Sequence, residues 1–132
     1  MNDRESYRIV YPEQARPRLR VIMSSAIAAP VLECSEGGLR FRIPATWPSV
    51  VVGAIVRANV EFHPSPRVGS QRTGVPRLLV SVNGRVVRTE GQTEGQIAVV
   101  QLDRPGIPFS VLLREQRALL GRYPDWLTAS AT

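Results

Sequence analysis

The chain has 132 residues, of which 43% are hydrophobic, and its 17 basic and 11 acidic residues give a net charge of +6. This length and composition fit one globular domain with a modest core, and a second domain is not expected. The single cysteine and single histidine exclude an internal disulfide framework and a Cys/His zinc site, so we expect no metal.

The positive charge comes from arginine alone, because the sequence contains no lysine. A basic balance favours an anionic partner. Arginine recognises phosphate or guanine through a planar fork of donors, whereas lysine supplies only a point charge. Arginine-rich codon usage would give the same composition, so the charge alone does not decide between these two interpretations.

The N-terminal segment, residues 1–16, is polar, carries several arginines and is interrupted by Pro12. These features predict a flexible, extended arm, with the globular body running over residues 17–132. The start of the chain has no apolar signal region, and no stretch approaches the roughly 18 apolar residues of a membrane span. We therefore expect a soluble, cytoplasmic protein.

Short runs of alternating polar and apolar residues predict strands at residues 18–23, 30–32, 38–43 and 54–62. Strands this short and this closely spaced imply an antiparallel sheet. Residues 63–76 contain three prolines and two glycines, which predicts a surface loop.

The next apolar run, residues 78–88, contains the pair Asn83-Gly84. Local rules place a tight hairpin turn at such a pair. A glycine inside a strand pattern also marks a bulge in one long, bent strand, so both interpretations stay open. A polar turn at 90–95 then leads into the last strand, residues 96–102.

Residues 109–123 predict an amphipathic helix, because apolar side chains recur at helical spacing between Pro108 and Pro124. Five or six short antiparallel strands followed by such a helix predict a mainly β fold. A small barrel is the expected form, because closure removes the exposed edges of a short sheet.

Two motifs give the chain a resemblance to a known family. The first is Arg4-Glu5-Ser6-Tyr7-Arg8, and the second, 25 positions later (33 − 8), is Glu33-Cys34-Ser35-Glu36-Gly37-Gly38. In order and separation they resemble the Arg-x-x-x-Arg and Asp/Asn-x-Ser-x-x-Gly motifs of the PilZ family. The resemblance implies a six-stranded antiparallel barrel that binds cyclic di-GMP as its ligand, without a cofactor.

The resemblance also implies the binding residues, which are Arg4, Arg8, Glu33, Ser35 and Gly38. Cyclic di-GMP is a dianion with two guanines, and arginine can bracket a phosphate or address the O6/N7 edge of guanine. The Ser35 hydroxyl and an acidic side chain before it supply further donors and acceptors. Gly38 allows a positive φ or a close backbone approach. Glu33 departs from the family's Asp or Asn, and its extra methylene is expected to weaken binding.

The leading hypothesis is therefore a non-catalytic cyclic di-GMP receptor. Ligand binding would order the arm, change the exposed surface and signal to an unidentified downstream protein. The alternative, motivated by Glu33, is a PilZ-like barrel that does not bind cyclic di-GMP and acts as a protein-interaction module. We expect a monomer or a weak dimer.

Two other functions rank lower. Proteins that bind single-stranded nucleic acid pair a basic groove with exposed aromatic side chains, but here aromatic residues make up only 6% of the chain. An enzyme is not expected, because one histidine, one cysteine and scattered carboxylates give no nucleophile–base pair in the sequence.

Overall fold

The computed structural model describes residues 7–21, 28–47, 50–62, 78–92 and 95–123. Within these residues it contains seven strands and one α-helix: β1 Arg8–Val10, β2 Arg18–Val21, β3 Ala29–Ser35, β4 Gly38–Arg42, β5 Ile55–Phe62, β6 Leu78–Gln92, β7 Gly95–Leu102 and α1 Phe109–Arg122. A single 3₁₀ turn, Glu13–Ala15, lies between β1 and β2. The predicted loop at 63–76 lies outside the described residues.

Six of the strands close a barrel in the order β3-β2-β5-β6-β7-β4, and pairing between β3 and β4 completes the ring. β2 pairs with the start of β3, and β1 adds a further strand along the end of β3. Every pairing among the described strands is antiparallel. The predicted six-stranded antiparallel barrel with a C-terminal helix is confirmed, and β1 is an addition to it.

The barrel interior is filled by the apolar half of each alternating strand. In β4, for example, Leu39 and Phe41 are buried while their neighbours are only partly covered. Fully burying a side chain of this kind contributes roughly 1.5–3 kcal/mol relative to leaving it exposed. The largest fully buried side chains are Phe41, Phe62, Ile9, Leu19, Ile107 and Leu112.

The Asn83-Gly84 pair lies within a continuous strand, so the long-strand interpretation is confirmed and the hairpin one is wrong. β7 passes so close to Gly84 that a Cβ there would lie 2.3 Å from the carbonyl oxygen of Gln101. Close backbone approach therefore explains this glycine. The bulge in β6 lies between Val86 and Arg88, a few residues beyond the glycine.

Part of the predicted N-terminal arm is packed on the barrel, contrary to expectation. β1 pairs with β3, and only 1% of Ile9 and 4% of Tyr11 are exposed. The physical reason is that Ile9, Tyr11 and Ala15 bury a small apolar face, which outweighs the polar residues around them. Pro12 precedes the 3₁₀ turn, where its missing N–H costs little. Residues 1–6, including Arg4, lie outside the described part of the chain.

The C-terminal helix α1 agrees with the predicted range to within one residue. It begins directly after Pro108, and at its end the Tyr123 N–H donates to the Leu119 carbonyl at 2.7 Å. Leu112 and Leu119 are buried, and the Phe109 ring packs edge-on against Tyr7, with ring centroids 5.2 Å apart. The helix thus anchors β1. No helix among the described residues is long and apolar enough to span a membrane.

Candidate ligand-binding cleft

A cleft of about 250 Å³ lies on the outer surface of the barrel and is lined by residues of β1, β3, β4, β7 and the distal part of β6. Four of the five residues predicted to bind ligand, Arg8, Glu33, Ser35 and Gly38, line it, while Arg4 lies outside the described residues. The complete lining is Arg8, Glu33, Cys34, Ser35, Gly38, Leu39, Arg40, Arg88, Glu90, Val99 and Val100.

Strand pairing brings the two sequence motifs together. Arg8 is the cross-strand partner of Ser35, and Ile9 is the partner of Cys34. Because side chains alternate along a strand, Arg8, Glu33 and Ser35 share the outer face, while Ile9 and Cys34 are buried. Residues 25 positions apart in sequence therefore become neighbours. The first half of the second motif lies in β3 itself, and the turn consists of Glu36 and Gly37.

Hydrogen bonds hold this turn in place. The Ser35 hydroxyl donates to the Gly38 carbonyl at 3.4 Å, the local role expected of a serine at a turn. The Leu102 N–H donates to the Gly37 carbonyl at 2.8 Å, and the Ile107 N–H donates to the Glu36 carbonyl at 3.1 Å. A Cβ on Gly38 would lie 3.1 Å from the Val100 carbonyl oxygen, so Gly38 serves a close approach between β4 and β7.

Five side chains form an alternating series of ion pairs along the cleft, here called the charge chain: Arg8, Glu33, Arg40, Glu90 and Arg88. Arg8 Nη1 lies 3.2 Å from Glu33 Oε1, and Arg40 Nη1 lies 3.0 Å from Glu33 Oε2. Arg40 also bonds Glu90, whose other carboxylate oxygen lies 3.3 Å from Arg88 Nη2. The side chains at the two ends, Arg8 and Arg88, are 61% and 63% exposed, so both guanidinium groups are accessible from solvent.

Arg40 is the central cation of the charge chain. Partial burial by itself lowers the pKa of Arg40, but its hydrogen bonds to Glu90 and Glu33 outweigh this effect and raise the pKa. Its Nε is buried and has no hydrogen-bond partner among the described residues. Arg40 faces outward, but its side chain is not freely solvated, because two carboxylates hold it.

The sequence pattern does not predict Arg88 and Glu90 as cleft residues, because β6 contains a bulge. Up to Val86, even-numbered residues of β6 point inward, as the burial of Val82 and Val86 shows. Uninterrupted alternation would turn Arg88 and Glu90 inward as well. The register shift after Val86 reverses this parity and brings both side chains into the cleft. In the sequence, uninterrupted alternation would place two charged residues, Arg88 and Glu90, at inward-facing positions. This conflict is the signal that indicates a bulge.

Behind the cleft lies a buried polar cluster formed by Cys34 on β3, Tyr11 directly after β1, and Glu115 on α1. The Tyr11 hydroxyl donates to Glu115 Oε1 at 2.8 Å and lies 3.6 Å from Cys34 Sγ. Burial raises the pKa of the Cys34 thiol to about 12, and burial also raises the pKa of Glu115. Cys34 is therefore a packed side chain with little tendency to form a reactive thiolate.

These features define a class of protein: a closed barrel with an arginine-lined surface cleft suited to an anionic ligand. The described part of the chain has no cluster of histidine, cysteine, aspartate or glutamate suited to a metal ion. The model of the PilZ domain family matches residues 2–124. The chain therefore belongs to the PilZ domain family, whose members bind cyclic di-GMP and are in general non-catalytic binding domains.

The fold is similar to that of the Bacillus subtilis inhibitor of motility MotI/DgrA, with a TM-score of 0.56 at 12% sequence identity. The match covers 87% of this chain and 48% of MotI/DgrA, so this chain spans about half the length of that protein. No curated protein gives a significant match.

Proposed function

We propose that this protein is a non-catalytic cyclic di-GMP receptor that signals to a downstream protein. One observation carries the proposal: the described residues of both motifs, Arg8, Glu33, Ser35 and Gly38, line a single cleft. Arg4, from the first motif, supplies a further guanidinium for the ligand. Membership of the PilZ family supports the choice of ligand.

The chemistry of the cleft suits part of the ligand. Three arginines and two glutamates in the charge chain give a local charge of +1 (3 − 2), which favours a dianion. The exposed guanidinium of Arg8 can donate in pairs to a phosphate or to guanine. The cleft volume of about 250 Å³ is below the roughly 300–1,000 Å³ typical of small-molecule pockets. The ligand therefore also needs contacts beyond the cleft, and we assign these to residues 1–6.

The neighbouring residues Tyr7 and Arg8, at the start of β1, connect the cleft with α1. Arg8 faces the cleft, whereas the flanking Tyr7 packs on Phe109 and bonds Gln116 of α1. A ligand that changes the position of Arg8 would therefore also affect Tyr7, which contacts α1. This arrangement supports the proposal that ligand binding changes the surface presented to a downstream protein.

The alternative is a ligand-independent protein-interaction module, and one observation favours it. Glu33 stands where the family has Asp or Asn, and both of its carboxylate oxygens are already bonded to arginines. Because these arginines are already paired with a carboxylate, contacts to an anionic ligand would contribute less free energy of binding.

The test is isothermal titration of cyclic di-GMP into the wild-type protein and the Arg4→Ala/Arg8→Ala double variant. Arg57→Ala is the matched control, because Arg57 is an exposed arginine on β5 that does not line the cleft. We expect saturable binding by the wild type and by the control, and none by the double variant. Absence of wild-type binding at micromolar ligand would contradict the proposal and favour the interaction module.

A further inference from the structure

Arg8, which we propose binds the ligand, already forms an ion pair within the charge chain. Arg8 is paired with Glu33, 3.2 Å away, and the second carboxylate oxygen of Glu33 is paired with Arg40. Arg8 cannot direct the same donor to a phosphate without leaving Glu33. A paired contact in which Nη1 and Nη2 of Arg8 both donate to one phosphate therefore requires an exchange of partners at Nη1.

We infer that Glu33 is an internal competitor of the ligand: it pairs with Arg8 when no ligand is bound and releases Arg8 to the ligand, while Arg40 keeps Glu33 in position. This inference rests on the proposed function. It assigns Arg40 as a positioning residue, and it makes the residue at position 33 a determinant of the affinity.

Strand geometry explains why a glutamate can make both contacts. Arg40 is the direct cross-strand partner of Glu33 on β4, but on β1 the direct partner of Glu33 is Val10. Arg8 is thus a diagonal neighbour, and diagonal positions lie about 7–8 Å apart, against about 5 Å for direct pairs. An aspartate, shorter by one methylene, would keep the near contact to Arg40 and lose the far one to Arg8.

The two ion pairs of Glu33 also differ in how easily they exchange. Arg8 is 61% exposed, so water and salt weaken its attraction to Glu33. Arg40 is only 28% exposed and also bonds Glu90, which holds its guanidinium between two carboxylates. The ligand therefore displaces Glu33 from Arg8, and the Glu33–Arg40 pair persists.

A specific salt dependence follows from this exchange. In the wild type, added salt weakens the Arg8–ligand contact and also the Arg8–Glu33 pair that opposes it, so the two effects partly cancel. In a Glu33→Asp variant the opposing pair is absent. The affinity of Glu33→Asp is therefore expected to be higher at low salt and to fall more steeply as salt is added.

The experiment is titration calorimetry with cyclic di-GMP at several salt concentrations for the wild type, Glu33→Asp and Arg40→Met. We expect Glu33→Asp to bind up to about fivefold more tightly, which corresponds to about 1 kcal/mol, the upper end for an exposed ion pair. We expect Arg40→Met to bind more weakly than the wild type, because Glu33 is then free to pair more closely with Arg8. Thermal unfolding of each variant checks that the fold is retained.

Glu61→Asp is the matched control, because Glu61 makes a similar ion pair with Arg20, at 3.0 Å, outside the cleft. Its binding and salt dependence should equal those of the wild type. Wild-type binding that Glu33→Asp leaves unchanged or weakens would overturn the inference and leave the proposed function standing. Failure of every form to bind would overturn both.

A ligand-independent measurement adds a second criterion. Rotation of the Arg8 guanidinium, followed by NMR of its side-chain N–H groups, should be slower in the ligand-free wild type than in Glu33→Asp. Equal rotation rates in the two proteins would show that Glu33 does not hold Arg8, and would overturn the inference.

Discussion

Strands β1 and β3 carry a polar cluster on each face, and the two clusters differ in their access to water. On the outer face, the Arg8–Glu33 pair lies in an open cleft. On the inner face, Tyr11, Cys34 and Glu115 are buried together. Water can replace a partner on the outer face, so bonds there can be exchanged for a ligand at little cost. On the inner face a lost partner leaves an unsatisfied buried group, so the same chemistry serves stability.

The largest expected effect is a loss of ligand affinity when a substitution disrupts only the outer cluster. Arg8→Ala removes charge-assisted hydrogen bonds to the ligand, each worth roughly 1.5–3 kcal/mol, so we expect cyclic di-GMP affinity to fall about 10–100-fold. The free energy of unfolding should change by less than about 1 kcal/mol, because the Arg8–Glu33 pair is exposed. Titration calorimetry and urea unfolding measure the two quantities. A loss of stability as large as that of an inner-face variant would remove the distinction between the faces.

Tyr11→Phe breaks the inner cluster. It removes the donor to Glu115 and leaves a buried carboxylate without that hydrogen bond, which costs roughly 1–3 kcal/mol. Urea unfolding should show this loss, and ligand affinity should stay close to that of the wild type. If Tyr11→Phe weakened binding as strongly as Arg8→Ala, the two faces would be energetically coupled rather than separate.

A smaller expected effect is a pH dependence of stability that arises from Glu115 in the buried cluster. Burial raises the pKa of Glu115 in the folded protein, so between its unfolded and folded pKa values the folded state binds more protons. The unfavourable contribution of Glu115 to stability is thus absent below the unfolded value of about 4.3 and complete above the raised folded value. Glu115→Gln keeps an acceptor for Tyr11 without the charge, so its stability relative to the wild type should increase as pH rises through this window.

Urea unfolding of the wild type and Glu115→Gln at several pH values from 4 upward measures this difference. A relative stability that does not vary with pH would show that Glu115 titrates normally in the fold. Glu61→Gln, at a part-buried ion pair outside the cluster, is the control for a general effect of removing a carboxylate.

Local pattern was sufficient to predict much of the barrel and of the cleft. The alternation of Leu39 and Phe41 with polar residues predicts β4, and the helical spacing between Pro108 and Pro124 predicts α1. The two motifs identify Arg8, and also the positions from Glu33 to Gly38, because their residue types and order are specific when taken together. The strand and helix predictions depend on neighbours within a few positions, and each of the two motifs is itself a short run of the sequence.

The features that could not be predicted depend on contacts between distant residues. The segment that contains β1 is held by a hydrogen bond from Tyr11 to Glu115, which lies 104 positions away. A local sequence pattern cannot predict that contact. Arg88 and Glu90 reach the cleft only because one bulge reverses the parity of β6. The ion pairs of Glu33 likewise require the register of both neighbouring strands.

Under the proposed function, cyclic di-GMP binds at the outer face of β1 and β3. The most direct measurement is titration of the isotope-labelled protein with cyclic di-GMP, followed by amide NMR. We expect saturable shifts that are largest at Arg8, Glu33, Ser35 and Gly38. Saturable shifts centred elsewhere on the barrel, or no shifts at saturating ligand, would contradict the proposal.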